Sequence, residues 1–122
     1  MCTPDFKHIL LRHVDGVVVI VMVTKDIQGP ELAKELIAEL KMVVEQEEGT
    51  PILLNMRRVI HFSSMGYSAL FMLVKLAKAR QRPVRFCNMR EDVRAWGEIA
   101  GLPLVVEIHD TEEAALKAFA PA

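Results

Sequence analysis

Two adjacent serines, Ser63 and Ser64, stand where a short apolar run gives way through a basic turn to a second apolar segment. The stretch from Asn55 to Leu70 reads NMRRVIHFSSMGYSAL. A strand over Pro51–Met56 followed by a helix from about Ser64 to Arg80 is the expected local structure. A hydroxyl at a helix start lies beside backbone N–H groups that lack intrahelical partners, and beside the positive end of the helix dipole. Such a position holds an anion or carries a phosphate well, and it is equally the ordinary place for an N-cap serine. The two readings are compatible, because capping and phosphorylation use the same hydroxyl at different times. Arg57, Arg58 and His61 fill the turn before the serines. They either meet a partner or an anion, or they form a solvated loop.

Other chemistries find less support. His61 lies near the serines, but no GxSxG elbow accompanies them, so a serine nucleophile is not expected. His8, His13 and His109 fall in or beside different strands and show neither HxxxH nor HExxH spacing, which argues against a metal site. There is no phosphate-cradling Gly-rich loop and no paired catalytic carboxylates. The expectation is a protein that is not an enzyme and needs no cofactor. Asp26, in the loop after the second strand, either touches a partner at the Ser64 end of the sheet or is a turn aspartate.

These residues must be positioned by a scaffold. Phe6–Val14 and Val17–Val23 are strand-like runs joined by Asp15-Gly16, a strong type I′ hairpin signal. The second run, VVVIVMV, is apolar on both faces, as a strand covered on both sides would be. Gly29-Pro30 opens a helix carrying Leu32, Leu36, Ile37, Leu40, Val43 and Val44 at helical spacing, with Gly49 as its expected C′ residue. Pro83–Cys87 is another strand. Asn88 with Glu91 resembles a capping box for a helix to about Ala100, closed by Gly101. Leu104–Ile108 is the expected last strand, and Asp110 with Glu113 the expected cap of a final helix, EEAALKAF. The order β-β-α-β-α-β-α-β-α implies an α/β fold: an opening β-hairpin, then alternating helices and strands forming a mixed, mostly parallel sheet with helices packed on it.

Bulk properties agree. The 122 residues suit one domain, 1–122, and a chain of this length buries roughly two thirds of its unfolded surface. A net charge of −1 supplies no global field for nucleic acid. Two distant cysteines, Cys2 and Cys87, suggest no disulfide framework. No signal-peptide core and no bilayer-length apolar run is present, so a cytoplasmic protein without a membrane partner is expected.

Element order and turn together resemble the STAS domain family, the fold of bacterial anti-sigma factor antagonists. The family's signature reads like IVLDLSGVDFIDSSGLGALL, and ILLNMRRVIHFSSMGYSALF lies against it without a gap. Ser64 falls on the family's phosphoacceptor serine, Gly66 on its glycine, and Ala69-Leu70 on its alanine-leucine. IAGLPLVVEIHDTEEAALKAF is similar to the family's usual ending. Three residues depart from the pattern: Asn55 and Ser63 replace aspartates, and Met65 replaces a small residue. The resemblance implies a regulatory protein-interaction module whose partner is an anti-sigma factor, typically a serine kinase of the GHKL ATPase type. Ser64 would be its phosphorylation site. The docking surface would include Asp26, Asn55, Arg57, Arg58 and His61, together with Ser63, Met65, Ser68 and Met72. The lost acids also fit a different reading, a STAS sensor or scaffold that is not phosphorylated and binds a small ligand or other STAS proteins.

The helix after the serines carries more apolar surface than one sheet contact needs. Tyr67, Leu70, Phe71, Val74 and Ala77 make one face, and Met65, Ala69, Met72 and Leu76 extend it. The surplus either meets the first helix or offers a protein-binding surface, including a homodimer contact. Trp96 is expected at the edge of the core, and Cys87 inside it.

Overall fold

A computed structural model describes residues 6–46 and 49–119. The opening hairpin pairs β1 (Ile9–Val14) with β2 (Val17–Met22), antiparallel, with Val14 opposite Val17. Asp15 and Gly16 both take positive φ (51° and 79°), as the type I′ turn requires. A two-residue strand, β3 (Asp26–Ile27), precedes helix α1 (Pro30–Glu45). Then follow β4 (Ile52–Asn55), a second two-residue strand β5 (His61–Phe62), and α2 (Ser64–Ala79). The chain continues through β6 (Val84–Cys87), α3 (Glu91–Ile99), a 3-10 turn at Leu102–Leu104, β7 (Glu107–His109) and α4 (Glu112–Phe119).

The main sheet has the order β1-β2-β4-β6-β7, parallel except for the hairpin. Both faces are covered, which is why β2 is apolar throughout. Val18, Ile20 and Met22 join the larger core with Leu36, Leu40 and Val44 of α1 and Leu70, Leu73 and Val74 of α2. Val17 and Val19 point the other way, into a smaller cluster with Leu53, Cys87 and Ala115 of α4. The Cys87 thiol is pushed up to about 12 by its burial and secondarily by the Glu112 carboxylate. Cys2 lies outside the described residues.

Several local expectations are corrected. The helix opened by Gly29-Pro30 ends at Glu45 with Gln46 as its cap, so Gly49 is not its C′ residue. Gly49 has φ 80° and donates its N–H to the Arg80 carbonyl instead. Arg90, not Asn88, occupies the N-cap of α3. Asn88 adopts φ 59°, and its Oδ1 is buried without a partner, so no capping box forms. Leu104 belongs to the 3-10 turn, and the last strand begins only at Glu107. The final helix is capped by Thr111, whose hydroxyl accepts the Ala114 N–H at 3.1 Å, rather than by Asp110. Gly101 does follow α3 in the left-handed conformation, φ 86°.

Histidine 8 shows how β1 is fastened to α1. It is buried, with Nδ1 2.6 Å from Thr24 Oγ1 and Nε2 2.9 Å from Glu35 Oε1. That hydrogen bond, with Lys7 nearby, holds the Glu35 carboxyl below its ordinary range. Among the described residues no cluster of His, Cys, Asp or Glu could hold a metal ion, and no helix is long and apolar enough to cross a membrane.

Candidate functional site

The two short strands build the site. β3 and β5 pair in parallel, with Asp26 opposite His61 and Ile27 opposite Phe62. The Lys25 carbonyl accepts N–H groups from Ile60 (2.7 Å) and His61 (3.2 Å), and the Ile27 carbonyl accepts the Ser63 N–H (2.9 Å). The loop after β2 therefore holds β5, which enters the head of α2, in a set position. Neither pair of residues shows a strand pattern long enough to read from sequence.

At that head the two serines divide their roles. Ser63 is the N-cap, in extended conformation, and its Oγ accepts the Gly66 N–H at 3.4 Å. Its carbonyl accepts the Tyr67 N–H at 3.2 Å. Serine is as good a cap as the aspartate of the family pattern, so this departure preserves the helix start. Ser64 is the first helical residue and is exposed. Its hydroxyl has no hydrogen-bond partner among the described residues. Asp26, Arg57, Arg58, His61, Met65 and Ser68 are also exposed. The side chains of Arg57 and Arg58 form no ion pair among the described residues.

Two candidates lie elsewhere. Asn55 is 8% exposed and bridges inward: its Nδ2 donates to Glu112 Oε1 at 3.0 Å, and its Oδ1 accepts the Arg57 N–H at 2.9 Å. Arg12 holds the same Glu112 carboxylate at 2.9 Å and 3.2 Å. Asn55 thus ties the end of β4 to α4, with both ends of its amide engaged. Met72 is half-buried and, with Leu76, packs onto the main core on the helix that lies beside α1. Most of the surplus apolar surface of α2 is therefore internal, and Met65, 44% exposed, is the exception.

Sequence reasoning missed the neighbouring cleft. Phe62 and Tyr67 stack at 4.9 Å between centroids, tilted by 56°. The Tyr67 hydroxyl donates to the Val93 carbonyl on α3, and burial, with Asp92 nearby, pushes its pKa up to about 12. Between α2 and α3 opens a cleft of about 480 Å³, lined by Ser64, Ser68, Phe62, Tyr67, Phe71, Trp96, Ile99 and Ala100. A smaller cavity of about 270 Å³ adjoins it, bordered by Gln28, His61, Ser63 and Asp92. Trp96 is 64% exposed, so it is not a core-edge residue but one wall of this cleft. Its spacing from Ile99, three residues on, was the available signal.

A STAS domain family model matches residues 8–115. No curated protein matches. Among solved structures, an anti-sigma-factor antagonist (STAS) domain protein from Planctomyces limnophilus superposes with TM-score 0.80 at 17% identity, covering 93% of this chain and 98% of that one. An anti-sigma factor antagonist from Mycobacterium paratuberculosis gives TM-score 0.77 at 19% identity, covering 90% and 91%. The Bacillus cell fate determinant SpoIIAA in its phosphorylated form gives 0.66 at 19%, covering 92% and 99%. These are likenesses of fold. With the family pattern spanning most of the sequence and the five-stranded sheet and four helices in the matching order, the chain belongs to the STAS domain family.

Proposed function

We propose that this protein is a regulatory interaction module of the anti-sigma factor antagonist kind, without catalytic activity of its own. Its partner would be an anti-sigma factor with serine-kinase activity of the GHKL type, and Ser64 would be the switch. The observation that carries this reading is the division of labour at the head of α2. Ser63 satisfies the helix, which leaves the Ser64 hydroxyl exposed and unengaged. A phosphate placed there adds up to two negative charges at a helix N-terminus that tolerates them, so the fold survives. The charge acts on a docking partner rather than on the helix. Asp26, Arg57, Arg58, His61 and Met65, all exposed, would form the docking face with Ser64. One fold neighbour, SpoIIAA, is known in both unphosphorylated and phosphorylated forms, which supports the reading by analogy.

The test is a kinase and binding pair. Incubation with candidate kinases from the same genome should add one phosphate, mapped by mass spectrometry to Ser64. Ser64→Asp should remain folded and lose at least about tenfold in affinity for that partner, about 1.4 kcal/mol. Ser64→Ala should bind constitutively. If both variants bind like the parent, the switch reading is wrong.

A further inference from the structure

The α2–α3 cleft is apolar along its length and polar at one edge. Phe62, Phe71, Trp96 and Ile99 supply carbon surface, and the floor is Tyr67, 6% exposed, with its hydroxyl engaged by Val93. Two serine hydroxyls line it, Ser64 and Ser68, both on α2. No carboxylate lines it, since Asp92 belongs to the adjoining cavity. Spacings of four, three and four residues place Lys75 on the same helical stripe as Ser64, Ser68 and Phe71. Lys75 is exposed, and it has no ion pair among the described residues. The charge that continues this edge is therefore positive. The volume, about 480 Å³, falls within the range of small-molecule sites, roughly 300–1,000 Å³. The rims at Trp96 and Ile99 are 64% and 76% exposed, so an occupant of the cleft would cover apolar surface that the fold leaves open.

We infer that this cleft is a binding site for a free amphipathic carboxylate with an alkyl or aryl body. The body lies between Phe71, Trp96 and Ile99 above Tyr67, and the carboxylate accepts the Ser64 hydroxyl proton in a hydrogen bond. Covering the apolar rims drives association. Exposed Lys75, on the stripe of Ser64 and Ser68, favours an anion over a cation at that edge, away from Asp92 of the adjoining cavity. Ser64 forms part of the wall, so an occupied cleft also covers the hydroxyl of the proposed switch. That regulatory consequence rests on the proposed function, whereas binding itself does not.

Trp96 is the sole tryptophan, so its emission reports the cleft directly. Titration of the protein with dodecanoate, kept below micelle formation, should shift the emission to shorter wavelength and saturate at one molecule per chain. Ile99→Glu, at an exposed position that the fold tolerates, should abolish the saturable shift with an unchanged melting temperature. Ser64→Asp should weaken binding at least about tenfold by like-charge repulsion. Dodecylammonium should not produce the shift, and vesicles of phosphatidylglycerol should not replace the free acid. The inference is overturned by the absence of a saturable change, by a shift that persists in Ile99→Glu, or by equal response to the ammonium or the vesicles. It is also overturned if emission shifts with protein concentration alone, the mark of a second copy in the cleft.

Discussion

The ring of Phe62 occupies the space that a β-carbon on Gly66 would need: a Cβ there would overlap ring carbons Cε1 and Cδ1. The signature glycine of the family pattern is thus explained here by a neighbour rather than by its own backbone. Gly66 lets Phe62 lie across the first turn of α2, stack on Tyr67 and wall the cleft. Gly66→Ala should destabilise the protein by about 1–3 kcal/mol in urea unfolding, as overpacking does. In a Phe62→Ala background the same change should turn neutral or stabilising, because alanine is the better helix former by about 1 kcal/mol.

The serines should separate in a stability measurement. Ser63→Ala removes the cap and should cost about 1 kcal/mol. Ser64→Ala removes an unengaged hydroxyl and should stay within about 0.5 kcal/mol of the parent. Equal losses at both positions would show that Ser64 shares the capping role.

Tyr67 is the sole tyrosine, so phenolate absorbance follows one group. Its pKa is raised from 10.0 to about 12, chiefly by burial. Between those values the unfolded chain has lost the proton and the folded chain has kept it. The stability from this group is therefore complete below pH 10 and lost as pH rises toward 12. Native protein should show phenolate only near the upper value, or on alkaline unfolding, and protein in urea near the lower one. In Tyr67→Phe the alkaline loss of stability should flatten.

Asn55→Asp restores the family's usual residue at the end of β4, and here it should be harmful. It removes the Nδ2 donor and sets a carboxylate against Glu112 Oε1, which Asn55 now meets at 3.0 Å. A loss of about 1–3 kcal/mol is expected at neutral pH. The deficit should shrink in mild acid, where protonation of either carboxyl relieves the repulsion and supplies a donor. Chemical denaturation at two pH values checks this, and a Glu112→Gln partner variant should rescue it.

Much of the scaffold was legible because its signals are local or periodic. Asp15-Gly16 set the hairpin, the two-sided apolar run of β2 marked a central strand, and Pro30 marked the start of α1. The parts that were not legible depend on tertiary partners. β3 and β5 are each two residues long and exist because Lys25 and Ile27 offer carbonyls to a turn far along the chain. Asn88 looked like a cap, but its positive φ moved it out of position. At the candidate site, the position of Ser64 at the start of α2 and the exposed basic turn before it were readable. The inward turn of Asn55 required Glu112, which is 57 residues away. Met72 reads as surface only until α1 is placed beside it.

The pairing of Asp26 with His61 makes one body of two connections that would otherwise fluctuate independently. A visitor to this end of the sheet meets a surface whose backbone is already arranged, so recognition does not have to freeze each loop on arrival. On the proposed function, affinity would then answer mainly to side-chain chemistry, and a single added charge would decide whether the complex lasts.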